Sequence, residues 1–524
     1  MANLQTTTID GGLTEQTGTV PSLAAAVATL PQHVYSLTYT SNTTTHSTAV
    51  YNITSGKVVI AYIDSSDSSY GKAVVGTITG DTIAFGTPAN FSDTTAVGDA
   101  GITMATLPGS SKVVIAWSEG SSSVHDPNEN KGTSKVGTIS GTTISFGAET
   151  TFETSGYGLP VQHGWDKCMV SDTTNNRVIL AWYGGNNSSR QGLVSCGTVS
   201  GTTLTWGTTQ AWSTTHTFEY QSMVYDATAD KFVIAWENYE SGAHNGKHIV
   251  GTIASPPSTT LTFGTAVVDA AYSWDAHAMT YSAAAGKIVH IYRKYGISPT
   301  VATGFARVGT ISGTTVSWGT ESTFPLTSAN DMYDPNIIYH ADTQKVMIIY
   351  SGSNREIYGV AGTITGTTIS LSTRILINDD NAGTATADPG LAYDTVTKKV
   401  VLSTNSVSGK KAEILDFVGT GLTVDLSTGS VFEIDLQTAT KDISSLTISN
   451  PHASQVSTFI LRITQGSPAR AFDSNIGIKW PGGTTPTLTT TVEKVDIFSF
   501  TTWDNGATWY GKVEGQNYDQ IRNR

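Results

Sequence analysis

Ten residues carry most of the chemical potential of this 524-residue chain: His163, Trp165, Tyr220, Tyr239, Trp274, Asp275, His277, Tyr295, Tyr333 and Asp334. They fall in irregular stretches such as ETSGYGLPVQHGWD (153–166), DAAYSWDAH (269–277) and PLTSANDMYDP (325–335). Aromatic rings beside carboxylates, amides and imidazoles suit a surface that stacks on a ligand and orients it by hydrogen bonds. A carbohydrate or a protein surface fits that description. Buried aromatics are usually core, so about half of these rings are expected to pack rather than bind.

Other chemistries find less support. Glycoside hydrolysis needs two carboxylates at a defined separation, and a site for an acidic sugar also needs clustered arginines. Arg177, Arg190, Arg293, Arg307, Arg355 and Arg374 are scattered, and Arg177 stands where other repeats carry lysine. His244 and His248 are four apart but on a loop-to-strand segment, so a zinc site is not expected. HDPNENKG (125–132) lacks the spacing of a calcium loop. No glycine-rich phosphate loop opens a helix. The expectation is no cofactor, no metal and no enzymatic activity. Thr502–Trp509 (TWDNGATW) is similar to the Asp box of sialidase-like propellers. It occurs once, outside the repeats, and reads as a hairpin with Asn505-Gly506 at its tip.

Composition bounds the partners. The net charge is −13, with 29 basic and 42 acidic residues. No basic cluster offers the footprint a nucleic-acid backbone requires. No apolar run approaches a membrane span, and the N-terminus lacks the basic and apolar regions of a signal peptide. Synthesis in a cytoplasm without membrane insertion is the expectation. Cys168 and Cys196 make no disulfide framework.

The elements that position these residues announce themselves by repetition. GTISGTTISFG (137–147) returns as GTISGTTVSWG (309–319), with looser copies at 76–86, 197–207, 251–264 and 362–372. Each follows a phrase of turn, basic residue and apolar run, as in YDATADKFVIAW (225–236). The basic residues are Lys57, Lys112, Arg177, Lys231, Lys287, Lys345 and Lys399, spaced by 55, 65, 54, 56, 58 and 54 residues. Each unit reads as four strands, a to d. Strand b is continuously apolar, as a strand buried on both faces should be, and strand d alternates. Four-stranded units at this period indicate a seven-bladed β-propeller over 33–419.

The seventh unit lacks the GTTISFG phrase. HVYSLTYT (33–40), an orphan strand before the first unit, is expected to complete it as outer strand. With strand b between them, Cys168 and Cys196 should lie near 10 Å apart, beyond bridging distance. The a–b and c–d turns share one face and are short and formulaic. The b–c and d–a loops share the other face, and are long, variable and rich in the ten residues above. Binding function belongs on such loops.

The ends differ. VPSLAAAVATLP (20–31) sets Leu23, Val27 and Leu30 at helical spacing between prolines, so a short helix in an N-terminal arm (1–32) is expected. Residues 420–515 read as alternating strands with Gly/Pro/Asn turns, expected to form a β-sandwich, with a tail over 516–524. Here DLSTGSVFEIDL, KWPGGTTPTLTTT and VDIFSFTTWDNGATWYG resemble a C-terminal β module of tailed-bacteriophage virion proteins, notably tail fibres and appendages. The resemblance implies a virion location, other virion proteins as partners, and a homotrimer. The expected function is non-enzymatic attachment to a host surface glycan or protein through the long-loop face. A capsid decoration or connector protein is the alternative, and a sialidase-like glycan hydrolase a more distant one.

Overall fold

The computed structural model describes residues 22–23, 28–41, 44–92, 97–119, 131–154, 168–184, 191–213, 218–240, 243–270, 273–295, 303–326, 332–352, 356–378, 389–406, 409–419, 422–438, 443, 446–467, 469–472 and 477–519. The chain divides into two units: Thr29–Phe417, and Met1–Ala28 with Val418–Arg524.

The first unit is a seven-bladed β-propeller. The inner strands a are Thr44–Asn52, Val97–Leu107, Met169–Asp172, Phe218–Asp226, Ser273–Ser282, Tyr333–His340 and Gly390–Tyr393. Each pairs antiparallel with a strand b, which pairs with c, which pairs with d. Strand b is buried along its length, as in Arg177–Gly184 and Lys345–Ser351. In six blades the outer strand is broken in two, and both halves pair with c, as Thr143–Phe146 and Thr150–Glu153 do in blade 2.

The core is distributed between neighbouring blades. Val59, Ala61 and Ile63 of blade 1 pack with Ile102, Met104, Ile115 and Trp117 of blade 2. Ile179 and Ala181 of blade 3 pack with Met223, Ile234 and Trp236 of blade 4. A blade alone leaves both apolar faces in water, which is why the units must stack into a ring.

The formulaic phrase now has a physical reading. In blade 2 Gly141 takes φ 60 at the c–d turn, a conformation that suits glycine, and Thr143 Oγ1 closes the turn on Ser140 O at 2.8 Å. The last glycine sits at the break in strand d. A Cβ on Gly86 would lie 1.9 Å from the carbonyl oxygen of Thr142 in the next blade. The same clash recurs at Gly147 with Thr202, Gly264 with Thr314 and Gly319 with Thr367. The phrase repeats because its turn and its final glycine are the two halves of a blade-to-blade contact.

The ring closes through Ala28–Thr40, the outer strand of the seventh sheet beside Gly409–Gly419. Tyr35, Leu37 and Tyr39 pack against the cluster joining blade 7 (Ala392, Val401, Ile414) to blade 1 (Val58, Ile60, Tyr62). Tyr39 stands 5.4 Å from Tyr62, with its hydroxyl 3.0 Å from Ser403 Oγ. The helix expected over 20–31 is corrected. Ser22–Leu23 is a strand pairing parallel with Val431–Asp435, and the strand Ala28–Thr40 begins inside that stretch. Strand pairing across the fold overrides a weak local helical pattern.

In the second unit the described strands form one six-stranded mixed sheet and a separate parallel pair, Leu422–Asp425 with Leu446–Ser449. Both contribute to one core around Phe432, Phe459, Trp480, Phe498 and Phe500. Two facing sheets of comparable size, as the expected β-sandwich requires, are not what these strands form. Parallel neighbours such as Val431–Asp435 with Ser457–Thr464 cannot be distinguished from antiparallel ones by alternation alone.

Candidate functional site

The candidate site belongs at the long-loop face, where strands a begin and strands b end. His163 and Trp165 lie outside the described residues, as do the side chains of Tyr220, Tyr239, Asp275 and Tyr295. Four of the ten sequence candidates remain, and the structure separates them.

Trp274 is 1% exposed and His277 2%, so neither offers a ring to a ligand. Trp274 instead fills a gap left by a broken rule of the repeat. Near the end of strand d most blades set an aromatic over a glycine of strand c: Phe91 over Gly71, Phe152 over Gly132, Trp212 over Gly192 and Phe324 over Gly304. In blade 4 that position is Asp269. Gly246 is covered by Trp274 of blade 5, whose ring would lie 2.3 Å from an added Cβ.

Asp269 then anchors a buried polar network between blades 4 and 5. It accepts from His248 Nδ1 at 2.6 Å and from Arg307 Nη2 at 3.0 Å. The Arg307 guanidinium lies 3.9 Å from the Trp318 ring and 4.8 Å from Trp274, and contacts His290 Nδ1 at 3.2 Å. His290 Nε2 meets His277 Nδ1 at 3.3 Å. Burial, then Arg307, His277 and His248, hold the His290 imidazole well below its usual range. A neutral, enclosed imidazole of this kind satisfies a core. His290 occupies the place that is Ile60, Ile115, Leu180, Ile234, Ile348 or Leu402 in other blades, so the substitution is visible once the repeat is aligned.

Tyr333 and Asp334 begin strand a of blade 6. Tyr333 is 38% exposed, and among the described propeller residues it is the one aromatic side chain left exposed. The Arg293 guanidinium, from the end of strand b in blade 5, stands 5.6 Å from its ring. Asp334 is buried. The backbone on either side is unusual: Met332 has φ 79 and Asp334 φ 45. Left-handed backbone at non-glycine residues costs about 1–3 kcal/mol each, and such strain concentrates at functional sites. The pairing register also slips between Tyr333 and Asn336. These features accompany an outward Tyr333 ring, whereas Trp274, near the start of strand a in blade 5, is buried.

The opposite, formulaic face has its own ring of hydroxyls. Six residues before each basic residue stand Tyr51, Thr106, Ser171, Tyr225, Tyr281, Tyr339 and Tyr393. All of them but Tyr339 line a cavity of about 400 Å³ on the propeller axis, walled by strands a of all seven blades, including Met104, Met169, Met223 and Met279. These hydroxyls stitch neighbouring blades. Tyr225 donates at 2.8 Å to Asp172 of blade 3. Tyr281 meets Thr228 of blade 4 at 2.5 Å. Tyr393 accepts from the Asp342 amide of blade 6 at 3.2 Å. Burial pushes the Tyr51 hydroxyl up to about 12. Arg177 serves the same joint. It pairs with Asp172 at 2.7 Å and reaches the carbonyls of Ala254 and Ser258 in the irregular turn of blade 4. This explains its departure from lysine.

Among the described residues no group of three or more His, Cys, Asp or Glu is placed to hold a metal ion, and no helix is long and apolar enough to cross a membrane. Cys168 and Cys196 are buried and form no disulfide.

No protein-family model and no curated protein matches the chain. Solved structures share its architecture at low identity. The BP39L lectin from Burkholderia pseudomallei is 8% identical, with a TM-score of 0.47, covering 71% of this chain and 94% of that one. AofleA from Arthrobotrys oligospora is 11% identical, TM-score 0.36, covering 70% and 100%. The periplasmic gluconolactonase PpgL from Pseudomonas aeruginosa is 9% identical, TM-score 0.40, covering 75% and 98%. Their names differ in kind, a lectin beside a gluconolactonase, and the likeness carries no argument about what this chain binds.

Proposed function

We propose that this protein is a non-enzymatic binding protein of a bacteriophage virion, of the tail-fibre or appendage kind. Its propeller holds a host surface glycan at the long-loop face, with Tyr333 at the contact. The observation that carries this reading is the outward Tyr333 ring, held by strained backbone on a rigid blade beside the Arg293 guanidinium. An exposed ring flanked by a cation is a surface on which a sugar stacks and a hydroxyl or carboxylate finds a donor. The virion assignment, with other virion proteins as partners and a homotrimeric state, rests on the resemblance of the C-terminal sequence to phage appendage modules.

The test is adsorption of the purified full chain to bacterial envelopes, measured beside release of soluble sugar. Saturable adsorption without sugar release is the expected result. Sugar release would replace binding with hydrolysis. Failure of the folded protein to adsorb to the host of the particle that carries it would remove the attachment role.

A further inference from the structure

The second unit buries Phe432, Phe459, Phe472, Trp480, Phe498, Phe500 and Trp509 in its core. Among the described residues three rings are left out, Trp503, Tyr510 and Tyr518, of which the first two lie together. Trp503 is 64% exposed and Tyr510 47%. They are neighbours, with ring centroids 5.2 Å apart and planes at 61°, forming an open corner.

The corner is held rigidly. Thr502 Oγ1 donates to Asp504 Oδ1 at 2.7 Å and accepts from the Gly506 amide at 3.0 Å. Asp504 Oδ1 also accepts from the Thr508 amide at 2.8 Å. Hydrogen bonds from Thr502 and Thr508 hold the Asp504 carboxyl below its ordinary range. Asn505 and Gly506 complete the turn at φ 55 and 85. A ring fixed in advance loses little freedom when a ligand stacks on it.

The surroundings define the ligand. Strand register sets Thr501 opposite Tyr510 and Thr458 opposite Thr501, with the two threonine hydroxyls 3.0 Å apart. Further along, Lys512 is held by Glu514 at 2.9 Å, and Glu514 accepts from Ser499 at 2.6 Å. Lys512 and Glu514 are thus engaged with each other, while exposed Lys479 stands in register beside Tyr510; the surface that the two rings and the threonine hydroxyls present is itself uncharged, which suits a neutral ligand. The size argues against a second protein chain. At about 150–250 Å² per ring, the exposed fractions amount to roughly 250 Å², against about 800 Å² per partner in a stable interface.

We propose that Trp503 and Tyr510 form a subsite for a neutral pyranose sugar. The apolar C–H face of the sugar stacks on the indole and its hydroxyl edge meets the Thr458 and Thr501 hydroxyls. This subsite is independent of the propeller reading and would stand if Tyr333 bound nothing.

Saturation-transfer NMR on the full chain tests it, with methyl glucoside, methyl galactoside, methyl mannoside, N-acetylglucosamine, maltotriose and chitotriose, and trigalacturonate as the anionic comparison. Both side chains are on the surface, so the variants should melt with the parent. Transfer to ring protons of at least one neutral sugar is expected. Its affinity should fall about tenfold in Trp503→Ala, fall less in Tyr510→Ala, and stay unchanged in Tyr333→Ala. Absence of transfer to every neutral sugar would overturn the proposal. So would transfer unaffected by Trp503→Ala, stronger transfer to trigalacturonate, or an oligomer that Trp503→Ala dissociates in sedimentation.

Discussion

Replacing Glu413 with glutamine should stabilise the propeller at neutral and alkaline pH and leave it unchanged in mild acid. Glu413 lies on strand c of blade 7, the strand to which the N-terminal segment docks as outer strand. It is 1% exposed, and its Oε1 accepts from Asn378 Nδ2. Burial raises its carboxyl from 4.5 to about 7, against the opposing pull of Asn378 and Lys411. A carboxyl with a raised pKa in the fold keeps its proton longer folded than unfolded. Stability is therefore fully present below about 4.5, falls as pH rises toward about 7, and stays reduced above it. At about 1.4 kcal/mol per pKa unit, the ionised carboxylate costs the fold roughly 3 kcal/mol at pH 8. Glutamine keeps the shape and the acceptor for Asn378 without the charge. Urea unfolding followed by tryptophan fluorescence at pH 4.5 and pH 8 measures the difference. Glu413→Gln should match the parent at the lower pH and exceed it by roughly 3 kcal/mol at the higher. An equal effect at both values, or destabilisation at pH 8, would refute the assignment of that cost to a buried charge.

Three further outcomes follow from the ring. Removing residues 1–41 strips the outer strand from blade 7 and exposes the edge of Gly409–Gly419; the truncated chain should melt well below the parent, and equal melting would contradict closure by that strand. Gly319→Ala would set a Cβ 1.8 Å from the Thr367 carbonyl oxygen; an immovable backbone partner makes this overpacking cost about 1–3 kcal/mol or more, read in the same urea transition, whereas a neutral result would mean the blades are not in contact there. Burial pushes the Cys196 thiol up to about 11, so both thiols should resist Ellman's reagent in the native protein and titrate fully in denaturant, and fast native labelling would place them at the surface.

The propeller was legible because its physics repeats. One basic residue opening an apolar run marks every strand b but the last, where Lys399 precedes Val400–Ser406 by one residue. The missing phrase in unit seven pointed to a strand from elsewhere in the chain. The break in strand d was written in the phrase as its final glycine, but the reason, a carbonyl of the next blade, is a contact between repeats that no single repeat reveals. Trp274 and His277 looked like binding residues because they sit in an irregular loop. Their burial follows from Asp269, a carboxylate in an aromatic's place, and only alignment of the outer strands exposes that exchange. Tyr333 was legible as an aromatic in a loop, but its exposure depends on the backbone turns at Met332 and Asp334, which side-chain type does not encode. The second unit was hardest to read, since its parallel neighbours, Val431–Asp435 with Ser457–Thr464 and Ile478–Lys479 with Trp509–Tyr518, pair across long connections.

The most direct test of attachment through the long-loop face compares the full chain with Tyr333→Ala on the same array of immobilised bacterial envelope glycans. Tyr333 is exposed and outside the blade cores, so the variant should keep the parent's melting temperature. Loss of an exposed aromatic at a binding centre should weaken binding by at least about tenfold. Undiminished binding by the correctly folded variant would contradict the proposed site.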